Sequence, residues 1–160
     1  MADAAFRNKT KKNIKTHREG IRKALAEKLP KGEFINALGR RKTAVARVRL
    51  YPAKDQSYVI NGKDIADYFP TDELQAIVRA AFVPEEVTGT YAVTVLVSGS
   101  GPHAQAEAVR LGIARALVKE NEELRPTLKH LGYLKRDPRS VERKKFGLLK
   151  ARKAPTWVKR

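Results

Sequence analysis

The sequence contains no cysteine. That absence excludes a disulfide framework, thiolate zinc sites and a cysteine nucleophile, and it fits a reducing compartment. Acidic residues are scarce: 17 Asp and Glu stand against 34 Lys and Arg, giving a formal net charge of +17 and an isoelectric point near 10.3. An excess of that size points to a polyanionic partner, whatever the fold. No apolar run approaches the length of a membrane span and no hydrophobic signal segment opens the chain, so a soluble protein with no membrane partner is expected. Histidine is rare as well. His17, His103 and His130 are the only three, none pairs with another at ligand spacing, and neither a metal centre nor a catalytic histidine is expected.

What is present is unevenly placed. Residues 1–31 hold ten Lys or Arg and three acids, 32–133 hold thirteen and twelve, and 134–160 hold eleven and two. A nearly neutral middle therefore carries two basic arms. With 160 residues and 42% hydrophobic content, one globular domain with a modest core is expected. The organisation that follows is a basic N-terminal extension over 1–33, a globular domain over 34–133 and an extended basic tail over 134–160.

In the extension, Thr16 and Glu19 have the spacing of a capping box. Ile21, Leu25 and Leu29 follow at helical intervals, predicting a short helix near 17–29. A cleaved organellar presequence is the rival reading, but such segments are rich in Arg and Ser and poor in acids. This one is rich in Lys, lacks Ser and contains Glu19 and Glu27. A cytoplasmic location is therefore favoured over an organellar one.

In the middle, Ala44, Ala46, Val48 and Leu50 alternate with Val45, Arg47 and Arg49, which predicts a half-buried strand. Ser57–Ile60 reads as a short strand before the turn signal Asn61-Gly62. The stripe Leu74, Ile77, Val78, Ala81 and Phe82 predicts a helix from Thr71 to Phe82, ended by Pro84. Thr90–Gly101 is β-branched and apolar, as a central strand should be. Pro102–Glu120 predicts an amphipathic helix with Pro in its first turn, and a last helix spans about Glu122–Leu131. Beyond Leu134 neither period persists. So few apolar residues cannot offset backbone ordering at about 1–2 kcal/mol per residue, so a partner must order the tail. Its 27 residues reach at most about 90 Å when extended.

Three features invite a chemical reading. The loop Ser98-Gly99-Ser100-Gly101 joins a strand to a helix N-terminus, a geometry that cradles phosphate. No Lys-Ser/Thr follows it and Ala104 stands where a dinucleotide fingerprint needs Gly, so a tight turn is the simpler reading, with RNA phosphate as the alternative. Arg40, Arg41 and Lys42 enter a strand whose Arg47 and Arg49 share one face; phosphate contact is favoured there over a solvated edge. In the tail, cations supply phosphate contacts while Phe146 and Trp157 offer faces for stacking on bases. The acid pairs Glu85-Glu86 and Glu122-Glu123 are neighbours that point apart on a helix. No acid–base or nucleophile constellation appears.

"GRRKTAVARVRL" at 39–50, "INGKDIADYF" at 60–69, "GIARAL" at 112–117 and "RDPRSVERKKFGLLKARKAP" at 136–155, with the closing Lys159-Arg160, resemble the small-subunit ribosomal protein S-nine family of bacterial type. The resemblance covers about 34–160. It implies an α+β fold: a four-stranded sheet with helices packed on one face and a left-handed βαβ crossover, as in the second domain of ribosomal protein S-five. It implies 16S-type rRNA in the subunit head and neighbouring head proteins as partners, with no cofactor, no small-molecule substrate and no catalysis. Arg160 and Lys159 would reach the anticodon loop of peptidyl-site tRNA. Arg40, Arg41, Lys42, Arg47, Arg49, Arg136, Arg139, Arg143, Lys144, Lys145, Lys150, Arg152, Lys153 and Trp157 would hold rRNA, with packing on a neighbouring protein the alternative for Trp157. Trp157 and Val158 stand where the family commonly has an aromatic and then Ser. A phosphate-handling enzyme built around the glycine loop and a free-standing nucleic-acid chaperone are the rival functions.

Overall fold

A computed structural model describes residues 30, 32–85 and 87–157. The helix expected near 17–29, His17, and the terminal Val158, Lys159 and Arg160 lie outside the described residues. The chain lays down β1 (Ile35–Arg41), β2 (Ala44–Pro52), β3 (Ser57–Ile60), β4 (Lys63–Asp64), α1 (Ile65–Tyr68), α2 (Asp72–Arg79) with a 3₁₀ turn Ala80–Phe82, β5 (Tyr91–Ser98), α3 (Pro102–Glu120), a 3₁₀ turn Glu122–Leu124, and α4 (Arg125–His130). The sheet order is β1-β2-β5-β3-β4. The β3–β5 pair is parallel and the other three pairs are antiparallel.

The α+β class is as expected, with one correction: the sheet has five strands where four were anticipated. The fifth is β4. Asn61 (φ +50°) and Gly62 (φ +82°) turn the chain back on itself, and Val59 and Ile60 then pair with Asp64 and Lys63. This is the hairpin that an Asn-Gly pair favours, because both turn positions need positive φ. Asp64 then accepts from the Ile65 N–H at 2.9 Å and caps α1.

Alternation along β2 and β5 sends Ala44, Ala46, Val48, Leu50, Val93, Val95 and Val97 to one face, all buried. Against that face lies α3, with ten buried residues, most of them Ala or Gly-sized. Small side chains let the backbones meet. A Cβ on Gly39 of β1 would collide with the Ala108 carbonyl of α3, and one on Gly112 would lie 2.5 Å from a Val48 methyl. The core closes with Phe69, Ile60, Val78, Ile113, Leu117 and Leu128, all within 1% of full burial. Each such side chain contributes about 1.5–3 kcal/mol by leaving water.

At the outer edge of the sheet, α3 reaches past β1. Arg115 Nη1 donates to the Leu38 carbonyl at 2.8 Å, and Lys119 Nζ donates to the Asn36 carbonyl at 2.8 Å. A polar chain fastens the other side. Asn61 exchanges two bonds with the backbone of Val97, at 2.9 and 3.0 Å, and Tyr68 Oη donates to Gln105 Oε1 at 2.9 Å. Gln105 Nε2 in turn donates to the Gly99 carbonyl at 3.0 Å, which holds the glycine loop in its turn.

Candidate nucleic-acid interface

The sheet face turned away from α3 is open. β1 contributes Asn36, Leu38 and Arg40, β2 contributes Val45, Arg47 and Arg49, and β5 contributes Thr94 and Leu96. The register sets Leu38, Arg47 and Leu96 in one row and Asn36, Arg49 and Thr94 in the next. Leu38 and Leu96 are each 46% exposed, so the floor is apolar and the cations rise from it. A shallow concavity of about 570 Å³ runs over these residues, with Arg115 and Lys119 on its rim. The Arg49 guanidinium lies 4.8 Å from the Phe34 ring centroid, which holds that side chain across the face instead of loose in solvent. On the floor, Thr94 Oγ1 is buried with no hydrogen-bond partner among the described residues.

Lys42 lies in the β1–β2 turn with φ +50° and is exposed at the end of the sheet. Arg40, Lys42, Arg47 and Arg49 make no ion pair with any described carboxylate. Among the described residues no carboxylate compensates the positive charge of this face.

The tail is the second cationic surface. From Val141 to Trp157 it forms no helix or strand. Val141, Phe146 and Trp157 are 90%, 98% and 79% exposed, which is unfavourable for apolar groups in water unless a partner covers them. One local closure exists. Glu142 pairs with Lys145 at 2.6 Å and with Arg152 at 2.9 Å, and the Leu149 N–H donates to the Lys153 carbonyl at 2.7 Å. Lys145, then Arg152, holds the Glu142 carboxyl below the usual range. Gly147 supplies φ +72° at the bend, so Phe146 sits at the tip of a loop flanked by Arg143, Lys144 and Lys150.

A family model described as "Ribosomal protein S9/S16" matches residues 39–160, which takes in most of the open face and the whole tail. The chain belongs to the ribosomal protein S9/S16 family. Among similar proteins, the "Small ribosomal subunit protein uS9" of Nocardia farcinica is 50% identical over 126 residues, covering 79% of this chain and 75% of that protein. The protein of the same description from Mycobacterium leprae is 50% identical over 126 residues, covering 79% and 82%. That from Mycobacterium bovis is 48% identical over 126 residues, covering 79% and 83%.

In this S9/S16 family member the cations singled out in the sequence fall into three places. Arg40, Lys42, Arg47 and Arg49 belong to the open face and its turn. Arg143, Lys144, Lys145, Lys150, Arg152 and Lys153 lie along the exposed tail, with Trp157 near its described end. Arg41, Arg136 and Arg139 gather instead where the tail leaves the domain. Arg41 is the exception to the expected pattern: it is 8% exposed, on the α3 side of the sheet, and its guanidinium is taken up by Glu107 and Asp137. Period-2 alternation gives the reason, since Ile35, Ala37, Gly39 and Arg41 share one face of β1 and Arg40 lies on the other. Two neighbouring arginines thus have opposite surroundings.

Sequence reasoning missed Leu38, Leu96, Arg115 and Lys119 as members of the open face. Leu38 and Leu96 look like core by type, and the helix cations look like solvated surface. Only the register of β1 brings them together. His103 is 62% exposed with Nδ1 4.0 Å from Glu107 Oε1. Glu107, the carboxylate that follows the glycine loop in sequence, is engaged by Arg41. Among the described residues no cluster of three metal-ligating side chains occurs and no helix is long and apolar enough to cross a membrane.

Proposed function

We propose that this chain is a structural constituent of the small ribosomal subunit, binding 16S-type rRNA in the subunit head and extending its tail to the peptidyl-tRNA site. Family membership supports the ribosomal role. The observation that carries the rRNA reading is the bare tail, with Phe146 almost wholly exposed among cations that have few internal partners. A folded polynucleotide supplies both what such a segment lacks: phosphates for the charges and base faces for the rings.

In this reading Arg40, Lys42, Arg47 and Arg49 hold rRNA phosphates against the open sheet face. Arg136, Arg139, Arg143, Lys144, Lys145, Lys150, Arg152 and Lys153 do so along the tail, and Trp157 packs on a nucleotide. Lys159 and Arg160 meet the phosphate backbone of the tRNA anticodon loop. The domain 34–133 serves as the anchor, the tail as the reach, and 1–33 as a second basic arm. The parallel β3–β5 connection through α1 and α2 is the left-handed crossover of the ribosomal protein S-five second domain. The protein acts by charge and shape, without catalysis, and neighbouring head proteins complete its surroundings in a cytoplasmic ribosome.

The test is removal of residues 158–160. Subunits carrying the shortened protein are expected to assemble nearly as well as intact ones and to bind peptidyl-site tRNA more weakly in a filter-binding titration. Unchanged tRNA affinity would refute the assignment of the tip.

A further inference from the structure

We infer that Arg41 is a positioning residue that fixes the direction in which the tail leaves the domain, and is not a phosphate contact. The inference rests on the reading of the tail as the segment that supports tRNA, and it deepens that reading by naming what aims it.

The geometry uses the whole guanidinium. Nε donates to Glu107 Oε2 at 2.5 Å, which ties Arg41 to α3. Nη2 lies 2.8 Å from Asp137 Oδ2. Nη1 donates to the Arg139 carbonyl at 2.6 Å and to the Asp137 carbonyl at 3.3 Å. One planar fork therefore joins strand, helix and the first residues of the tail, and only Arg offers so many donors in a fixed plane. Asp137 is held from the other side as well. Arg139 donates to it from Nε at 2.9 Å and from its backbone N–H at 2.9 Å.

A second pin lies upstream. Gly132 turns the chain at φ +76°, the Tyr133 N–H donates to the Leu128 carbonyl at 3.0 Å, and Arg110 sits 5.0 Å from the Tyr133 ring centroid. Between Tyr133 and Arg139 the chain is laid along the domain, and it becomes free only afterwards. The 21 residues beyond Arg139 span at most about 70 Å. A short pinned base matters for such a tether, because loosening it lengthens the tether and dilutes its tip at the far site.

Charge argues the same way. Two carboxylates face Arg41, so a phosphate brought to this point would meet them too. A residue placed to grip RNA would not be the most deeply buried arginine among the described residues, with two acids around it.

The decisive comparison is Arg41→Met with Asp137→Asn, each in the full-length protein. Asp137→Asn raises the net charge by one, so simple electrostatics predicts rRNA binding equal to or tighter than the parent. Positioning predicts the opposite for tRNA. Both variants should speed amide hydrogen exchange at 135–139 in the free protein. In reconstituted small subunits both should weaken peptidyl-site tRNA binding by about three- to tenfold, with the salt dependence of rRNA binding unchanged. Arg41→Met that lowers the salt slope by about one, with Asp137→Asn harmless, would make Arg41 a phosphate contact and overturn the inference. Equal exchange rates at 135–139 in parent and Asp137→Asn would overturn it as well, and this readout stands even where Arg41→Met folds poorly. Because it needs no tRNA, failure of the tip truncation to affect tRNA would sink the functional reading while leaving the pinned base intact.

Discussion

Asp137 shows how one carboxylate sorts the charges around it. Its pKa is pulled down to about 2 from an ordinary 3.8, chiefly by the Arg139 side chain, then by the Arg139 N–H, with Arg41 adding to the effect. A depressed carboxylate contributes stability in full above its unfolded value and loses it as pH falls through the folded value. The tail base is therefore expected to stay attached from neutral pH to about pH 4. In an NMR titration of the free protein, the Arg139 amide should hold its shift over that range and move with a midpoint near pH 2. A midpoint near the ordinary carboxylate value would show that the contact is absent in solution. The same residue explains a blind spot of sequence reading. Arg40 and Arg41 are chemically identical, and only their parity on a strand assigns one to solvent and the other to an interior clasp.

At the scale of elements, the pairing of β1 with α3 sets the shape of the open face. Gly39 and Gly112 let strand and helix approach at backbone distance. Gly39→Ala is expected to destabilise the domain by about 1–3 kcal/mol, as overpacking does. The measurement is the denaturant midpoint, and an unchanged midpoint would mean that the strand and helix lie farther apart. Much at this scale was legible. β2, β3, β5, α2, α3 and α4 all fall where periodicity put them, to within a residue or two at most ends. β1 was not legible, because Leu38 points outward and a charged Arg41 inward, which erases the alternation. β4 and α1 are too short to impose any period and depend on the Asn61-Gly62 turn and the Asp64 cap. The tail was readable as cationic and unstructured, but the clasp that begins it pairs residues 96 positions apart, beyond the reach of any local pattern.

For the whole molecule, the boundary between anchor and reach follows from contacts more than from composition. Charge places the tail from 134, yet Leu134 packs against the core and Asp137 engages Arg41. A fragment 32–139 is expected to fold and to melt higher than 32–133 by roughly 5 °C. Calorimetry of the two fragments checks this, and equal melting temperatures would mean that residues 134–139 add nothing. On the function proposed above, a folded anchor clasped at the base of its tail is suited to delivering a remote tip to one place.

The cover that Arg115 and Lys119 give the β1 edge carries a consequence for the protein before assembly. A newly made chain with net charge +17 exists for a time unassembled in a crowded cell, and an exposed strand margin there recruits stray strands. By occupying the Leu38 and Asn36 carbonyls, two helix side chains deny that margin to any newcomer. The β1 margin of the unassembled protein is thus less open to pairing with a strand of a second copy.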